Sequence, residues 1–135
     1  MIRLLADNNA DGHLEILVRI LMNETWIGFW NELDLTVVSF EDVGIPRNVD
    51  DVILWRTCQR EQVVLVTSNR NADGEHSLQV TLQRENRPES LPVFTLARAE
   101  RIAADRDYAE RTALRLLEYL TQLDSVRGAG RLYVP

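Results

Sequence analysis

The sequence has one cysteine, Cys58, among its 135 residues, so it can form neither an internal disulfide nor a thiolate metal cluster. Set among Leu54, Trp55 and Thr57, that cysteine reads as a small buried hydrophobe. Imidazoles are nearly as scarce, and His13 and His76 do not stand at a zinc spacing. No glycine-rich phosphate loop is present in either the Walker or the Rossmann pattern, which sets aside nucleotide binding of those kinds. No apolar run approaches the ~20 residues of a membrane span. The first residues also lack a basic stretch followed by an apolar one, so the expectation is a cytoplasmic address with no membrane partner. Internal repeats and low-complexity segments are absent. So is any basic excess: the formal net charge of -6 argues against a broad basic surface for nucleic acid. It leaves room for a nucleic-acid enzyme, because a carboxylate site that works through a divalent metal is itself acidic.

What the chain does contain is the material of one globular domain. Its 45% hydrophobic and 27% charged residues are near average usage, and residues 1–135 suffice to bury a single core. Residues 3–6 read as a short central strand, apolar on both faces. After a turn at residues 8–12, Leu14, Leu17, Val18 and Leu21 recur at i, i+3, i+4 and i+7 and predict a helix with one broad buried face. Residues 23–34 crowd Trp26, Ile27, Phe29 and Trp30 beside acids and amides. They read as a helix extension or as an aromatic insertion over the sheet edge, serving either as local core or as a dimer or partner surface. The β-branched residues within 35–40 predict a second strand.

Asn48 is placed to cap a helix over residues 48–61, with Asp50 and Asp51 in its first turn and Val52, Trp55 and Cys58 inward. Val63–Thr67 predicts a third strand. Residues 74–85 then predict a helix with Leu78 and Leu82 inward and Asp73 as a candidate cap. Past a loop holding Pro88, residues 91–96 predict a fourth strand, whose Pro92 suits a strand start. Residues 99–107 read as a short helix or turn. Residues 108–123 carry the clearest helical stripe, Ala113, Leu116, Leu117 and Leu120, stopped by Gly128 and Gly130 before a short edge strand at 131–134. Strands alternating with helices at this spacing predict parallel βαβ units with helices on both faces. The expected fold is α/β, a three-layer α/β/α sandwich around a mainly parallel four- to five-stranded sheet.

The carboxyl ends of parallel strands share one edge, and α/β proteins keep their chemistry there. Two strands run into polar tips: IRLLADNN at residues 2–9 and VVLVTSNRNADG at residues 63–74. That edge collects Asp7, Asn8, Asn9, Asn69, Asn71 and Asp73, whereas Asp50 and Asp51 join only if the loop before their helix wraps over it. Each residue also has an ordinary explanation. Asn69 and Asn71 suit helix caps and turns, Asp50 and Asp51 suit the positive end of a helix dipole, and Arg70 reads as a surface arginine or as a phosphate contact at the pocket rim. Asp7 is the hardest to explain in that way, because a carboxylate at the end of a central strand is costly to bury without a partner.

Taken in order, LLADNN, the acidic pair Asp50 and Asp51, VVLVTSNRN, LPVFTL and the long terminal helix resemble the PIN-like family often called DUF5615, related to the VapC toxins and the Mut7-C nuclease domains. The resemblance covers nearly the whole chain and implies a PIN-like fold. The family's Asp-Glu-Asn tip maps onto Asp7, Asn8 and Asn9, and its Thr-x-Asp-x-Asp tip onto Thr67, Asn69 and Asn71, so three expected acids are amides here. By this resemblance the chain is a Mg²⁺- or Mn²⁺-dependent ribonuclease, the toxin half of a toxin–antitoxin pair. Asp7, Asp50 and Asp51 are then its catalytic residues, Asp7, Asp51 and Asp73 its metal ligands, and Asn9, Asn69, Arg70 and Asn71 its substrate contacts. The implied partners are RNA, an antitoxin-like protein and a second copy of the chain. An asparagine carbonyl can still ligate a hard cation, but it brings no charge and takes no proton. The amides therefore weaken metal binding and raise an alternative, a catalytically inactive PIN-like module that binds RNA or a protein partner.

Overall fold

The structure, a computed structural model, describes residues 1–68 and 77–135. β1 (Ile2–Ala6) leads through α1 (Asp11–Leu21) and a short α2 (Ile27–Glu32) to β2 (Leu35–Val37). Then come α3 (Asp51–Glu61), β3 (Val63–Thr67), α4 (Leu78–Glu85), β4 (Val93–Leu96), α5 (Ala99–Ala104), α6 (Arg106–Thr121) and β5 (Arg131–Val134). The five strands form one all-parallel sheet in the order β2-β1-β3-β4-β5. With helices on both faces it is the three-layer α/β/α sandwich that the alternation predicts.

Strand register divides the apolar residues between two cores. Leu5 stands beside Leu65, Ala6 beside Val66, Val66 beside Phe94 and Thr67 beside Thr95, and successive side chains on a strand point to opposite faces. Leu4, Val64, Val66, Phe94 and Leu96 therefore pack with Leu14, Leu17, Leu116 and Leu120 on the face of α1, α5 and α6. Leu5, Val63, Leu65 and Val93 pack with Leu54, Trp55, Cys58, Leu78 and Leu82 on the face of α3 and α4. β3 is buried along its whole length, which is why its sequence is apolar without alternation.

The steps from β3 to β4 and from β4 to β5 run in the same direction across the sheet, yet α4 covers one face and α5 with α6 the other. The two crossovers therefore have opposite hands, a departure from the usual uniformity. A uniform hand would crowd α6 against α3 and α4 and leave α1 alone over Phe94 and Leu96. Beside α1, it closes the core over Phe94 and Leu96.

Several element ends differ from the sequence expectation. Asp50 caps α3, its carboxylate accepting from the Ile53 amide at 2.9 Å, and Asn48 lies short of the helix. α3 buries Leu54, Trp55, Thr57 and Cys58, while Val52 is only half-buried. α4 starts at Leu78 with Ser77 as its cap, and Asp73 and residues 74–76 of the expected helix lie outside the described residues. β2 stops at Val37, after which Phe40 turns into the α3 core. The aromatic segment forms α2, with Trp30 buried, Trp26 tilted against Phe29 at 6.1 Å, and Phe29 exposed. It is largely local core with one aromatic facing out. Among the described residues no helix is long and apolar enough to cross a membrane.

After α6 the chain re-enters the sheet through Gly128, whose φ is +86° and where an added Cβ would stand 2.8 Å from the Pro88 carbonyl oxygen. Its amide donates to the Ser90 carbonyl at 2.9 Å, and its carbonyl accepts from Asn86 Nδ2 at 2.8 Å. Gly128→Ala is expected to destabilise the fold by on the order of 1–3 kcal/mol, read as a lower urea midpoint. An unchanged midpoint would contradict the close approach.

Candidate active site

The strand order reverses at β1. The chain leaves β1 for β2 on one side and returns to β3 on the other, and open α/β sheets bind ligands in the crevice outside the carboxyl ends at such a point. Asp7 directly follows β1 there and Thr67 is the last residue of β3. The Asp7 amide donates to the Val66 carbonyl at 3.0 Å, extending the ladder by one residue and fixing the backbone of the acid. Its Oδ1 accepts from the Asn9 and Ala10 amides, each at 3.1 Å, closing the turn into α1, and its Oδ2 accepts from the Thr67 hydroxyl. Ala10 has no side chain with which to cap α1, so Asp7 supplies part of that cap from the strand end.

The loop before α3 does wrap over this edge. Asn8 Nδ2 donates to the Arg47 carbonyl at 2.7 Å, and Arg47 Nη1 donates back to Asn8 Oδ1 at 2.9 Å. Arg47 also lies over the Phe40 ring. Held in this way, the start of α3 turns its two acids to different tasks. Asp50 is exposed and caps its own helix. Asp51 accepts from the Leu78 amide at 3.0 Å through Oδ2, satisfying a donor at the start of α4, and its charge reaches both Asp7 and Arg131. Asp51 is therefore the member of the pair that joins Asp7.

Across the edge from Asp7, Thr67 pairs in register with Thr95, and both are fully buried. Arg131 Nη1 donates to Thr95 Oγ1 at 2.7 Å and its Nε to Gln79 Oε1 at 3.2 Å. A polar stripe thus crosses the carboxyl edge from Asp7 through two threonines to a half-buried arginine. Burial, foremost, pushes the Asp7 carboxyl above the ordinary carboxylate range. The Thr67 hydroxyl and the Asn9 and Ala10 amides pull it back, and the Asp51 charge adds to the rise. Burial also holds the Arg131 guanidinium below its usual value, against the attraction of Tyr133 and Asp51.

Of the residues singled out from sequence, the structure brings Asp7 and Asp51 together and leaves Asp50 as a cap. Asn9 is exposed beside Asp7 and donates its backbone amide to it. Asn69, Arg70, Asn71, Asp73 and His76 lie outside the described residues. Thr95, Arg131 and Gln79 were not expected at this edge, and Thr67 only as a position in the family pattern. The signal for the threonines is present in the sequence, a single hydroxyl near the end of each of two wholly apolar runs, whereas Arg131 reads only as a charged strand start. Among the described residues no group of three or more His, Cys, Asp or Glu could hold a metal ion. Cys58 is buried, its thiol pushed up to about 12 by desolvation, and takes no part.

Comparison of the chain with protein-family models, curated proteins and solved structures found no match. The reading of the site rests on its geometry.

A carboxyl whose pKa is raised by folding holds its proton more tightly when folded. Its stabilising contribution is full below the unfolded value and is lost as pH rises through the folded one. Asp7→Asn keeps an acceptor for the two amides and removes the charge. The variant is expected to melt at a higher temperature than the wild type at about pH 7, with the gap closing below about pH 4. A lower melting temperature for the variant at neutral pH would contradict the unfavourable burial of this charge.

Proposed function

We propose that the chain is a PIN-like ribonuclease dependent on Mg²⁺ or Mn²⁺, acting through Asp7 and Asp51 in the cytoplasm as the toxin half of a toxin–antitoxin pair. The observation that carries this reading is the placement of Asp7. A half-buried carboxylate at the strand-order reversal, its pKa raised by burial and further by a second carboxylate, is the kind of conflict that marks functional sites.

The donor chemistry fits a hard cation. Two carboxylates are the usual protein share for Mg²⁺, which keeps water and takes substrate phosphate oxygens for the remainder. Asp7 and Asp51 would hold it, and when bound it supplies charge stabilisation for the phosphoryl oxygens and a lowered pKa for the attacking water. The chain's own residues prepare for this. The Asn9 and Ala10 amides and the Thr67 hydroxyl fix the Asp7 carboxylate in one orientation. Asp51 is held by the Leu78 amide. The Arg131 guanidinium, held by Thr95 and Gln79, adds a fixed positive charge that Asp51 feels. Asp50, engaged with the Ile53 amide, serves the helix.

Two observations favour a second reading, a catalytically inactive PIN-like module that binds RNA or a protein partner, such as an antitoxin-like protein or a second copy of the chain. Asn69 and Asn71 stand where the family resemblance expects acids, and Phe29, 46% exposed beside Trp26, offers an aromatic anchor for a protein.

Cleavage of a mixed single-stranded RNA with Mn²⁺ separates the two. The nuclease reading expects metal-dependent cleavage that falls at least about 100-fold in Asp7→Ala and about 10-fold or more in Asp51→Asn. Asp51→Asn retains an acceptor for the Leu78 amide, so its thermal midpoint should stay near that of the wild type and separate lost chemistry from lost folding. Equal background in all three proteins would overturn the nuclease reading for that substrate.

A further inference from the structure

The helical layer of α1, α5 and α6 carries a groove of about 440 Å³. Ile16, Ile20, Ile102 and Ala109 line it with apolar surface, and Arg19 and Arg106 are its only charged residues. Both arginines are exposed, and each bonds through one nitrogen to a glutamate four residues away on its own helix, Glu15 or Glu110. Exposed pairs of that kind contribute little, so the guanidiniums keep donors for another acid. The segment 23–34 is the reverse of this groove. Phe29 is 46% exposed with its ring against Trp26. Glu32, three residues on, shares its face of α2, Glu24 stands in the turn before, and the segment contains no base. Neither glutamate pairs with a base among the described residues. Knob and groove are fixed to each other through Asn23, which lines the groove while its Oδ1 accepts from the Thr25 and Trp26 amides at 2.9 and 3.2 Å, opening the turn into α2.

We infer that a second copy of this chain fills the groove, its Phe29 seated on the apolar lining and its Glu24 and Glu32 facing Arg19 and Arg106. Charge complementarity selects this occupant. An apolar groove whose only charges are two cations calls for an apolar side chain flanked by acids. Of the two exposed aromatic residues, Tyr133 shares its strand with Arg131 and Phe29 stands among acids alone. Symmetry permits the contact twice. The Trp30 of α2 is buried in the same core as Leu17 and Leu116, so knob and groove belong to one layer of the sandwich. A two-fold axis then brings each α2 to the other copy's groove, a closed arrangement in which both copies use the same patch. This deepens the partner reading of Phe29, to which it gives a receptor, and it stands whether or not the carboxyl edge cleaves RNA.

The test is sedimentation velocity of the full chain between about 1 and 100 µM, a range that reaches the weak end of specific interfaces. The wild type is expected to pass from monomer to dimer, and Phe29→Ala to weaken association at least about 10-fold. Val37→Ala, an exposed substitution on the edge strand β2, should change nothing. Charge reversal supplies the decisive arm. One variant carries Arg19→Glu and Arg106→Glu, and a second carries Glu24→Arg and Glu32→Arg. Each alone meets like charge at both contacts and is expected to stay monomeric. Mixed in equal amounts, every groove faces an α2 of opposite charge, and the dimer should return and weaken as salt rises. Recovery on mixing also shows that neither variant was monomeric through misfolding. A wild type that stays monomeric throughout would overturn the inference and leave Phe29 and the groove to a different protein. Dimers indifferent to Phe29→Ala, a mixture that stays monomeric, or growth past the dimer would overturn it as well. The readings fail separately. A Phe29-dependent dimer that cleaves nothing upholds the interface and overturns the nuclease, whereas Asp7-dependent cleavage by a strict monomer does the opposite.

Discussion

The bond from the Thr67 hydroxyl to the Asp7 carboxylate joins the ends of the two central strands, and the carboxyl edge is arranged around it. A carboxylate at the end of a buried strand must find donors or remain protonated. Asp7 finds three, one from β3 and two from the turn that opens α1, and is still held above the ordinary carboxylate range because burial outweighs them and Asp51 adds a second negative charge. That residual conflict distinguishes this acid from the capping aspartates elsewhere in the chain. Asp50 and Asp105 also accept amide bonds at helix starts, but on exposed or half-exposed ground.

The two-residue period of the strands extends from the cores to this edge. The side chains of Leu5, Leu65 and Val93 face α3 and α4, and the same parity brings Asp7, Thr67 and Thr95 to that face where the helix starts of α3 and α4 meet. The clasp between Asn8 and Arg47 draws the preceding loop over the edge, and the bond from Leu78 to Asp51 ties the two helix starts to each other. Asp51 therefore serves both folding and the site. Its carboxylate satisfies a backbone donor of α4 and also supplies a charge that the burial of Asp7 makes unwelcome.

Much of this was legible in the sequence, because it follows from local periodicity. The apolar run of β3, the stripe Ala113, Leu116, Leu117 and Leu120 on α6, and the polar tip after β1 each specify their element without long-range information. What escaped depends on tertiary contacts. Whether Asp50 or Asp51 faces Asp7 turns on which is the cap, a matter of one residue. Arg131 reads as the charged start of a weak strand until the order β3-β4-β5 sets it beside Thr95 and α4. The side of the sheet taken by α6 was equally hidden: a uniform crossover hand predicts the wrong face, and the need to cover Phe94 and Leu96 decides it. The three amides at positions where the family resemblance expects acids, Asn8, Asn69 and Asn71, are plain in the sequence. For Asn8 the structure adds a reason, since its amide both donates to and accepts from Arg47, which a carboxylate could not do.

The proposed metal site requires that a divalent cation relieve the unfavourable charge environment of the Asp7 carboxyl. Its most direct test is the titration of that carboxyl followed by carbon-detected NMR, with and without millimolar Mg²⁺. In the absence of the ion the group should titrate above the ordinary aspartate value of about 3.9, and Mg²⁺ should bring its apparent pKa down. An ordinary value without the ion, or a raised value that Mg²⁺ leaves unmoved, would rule out that site.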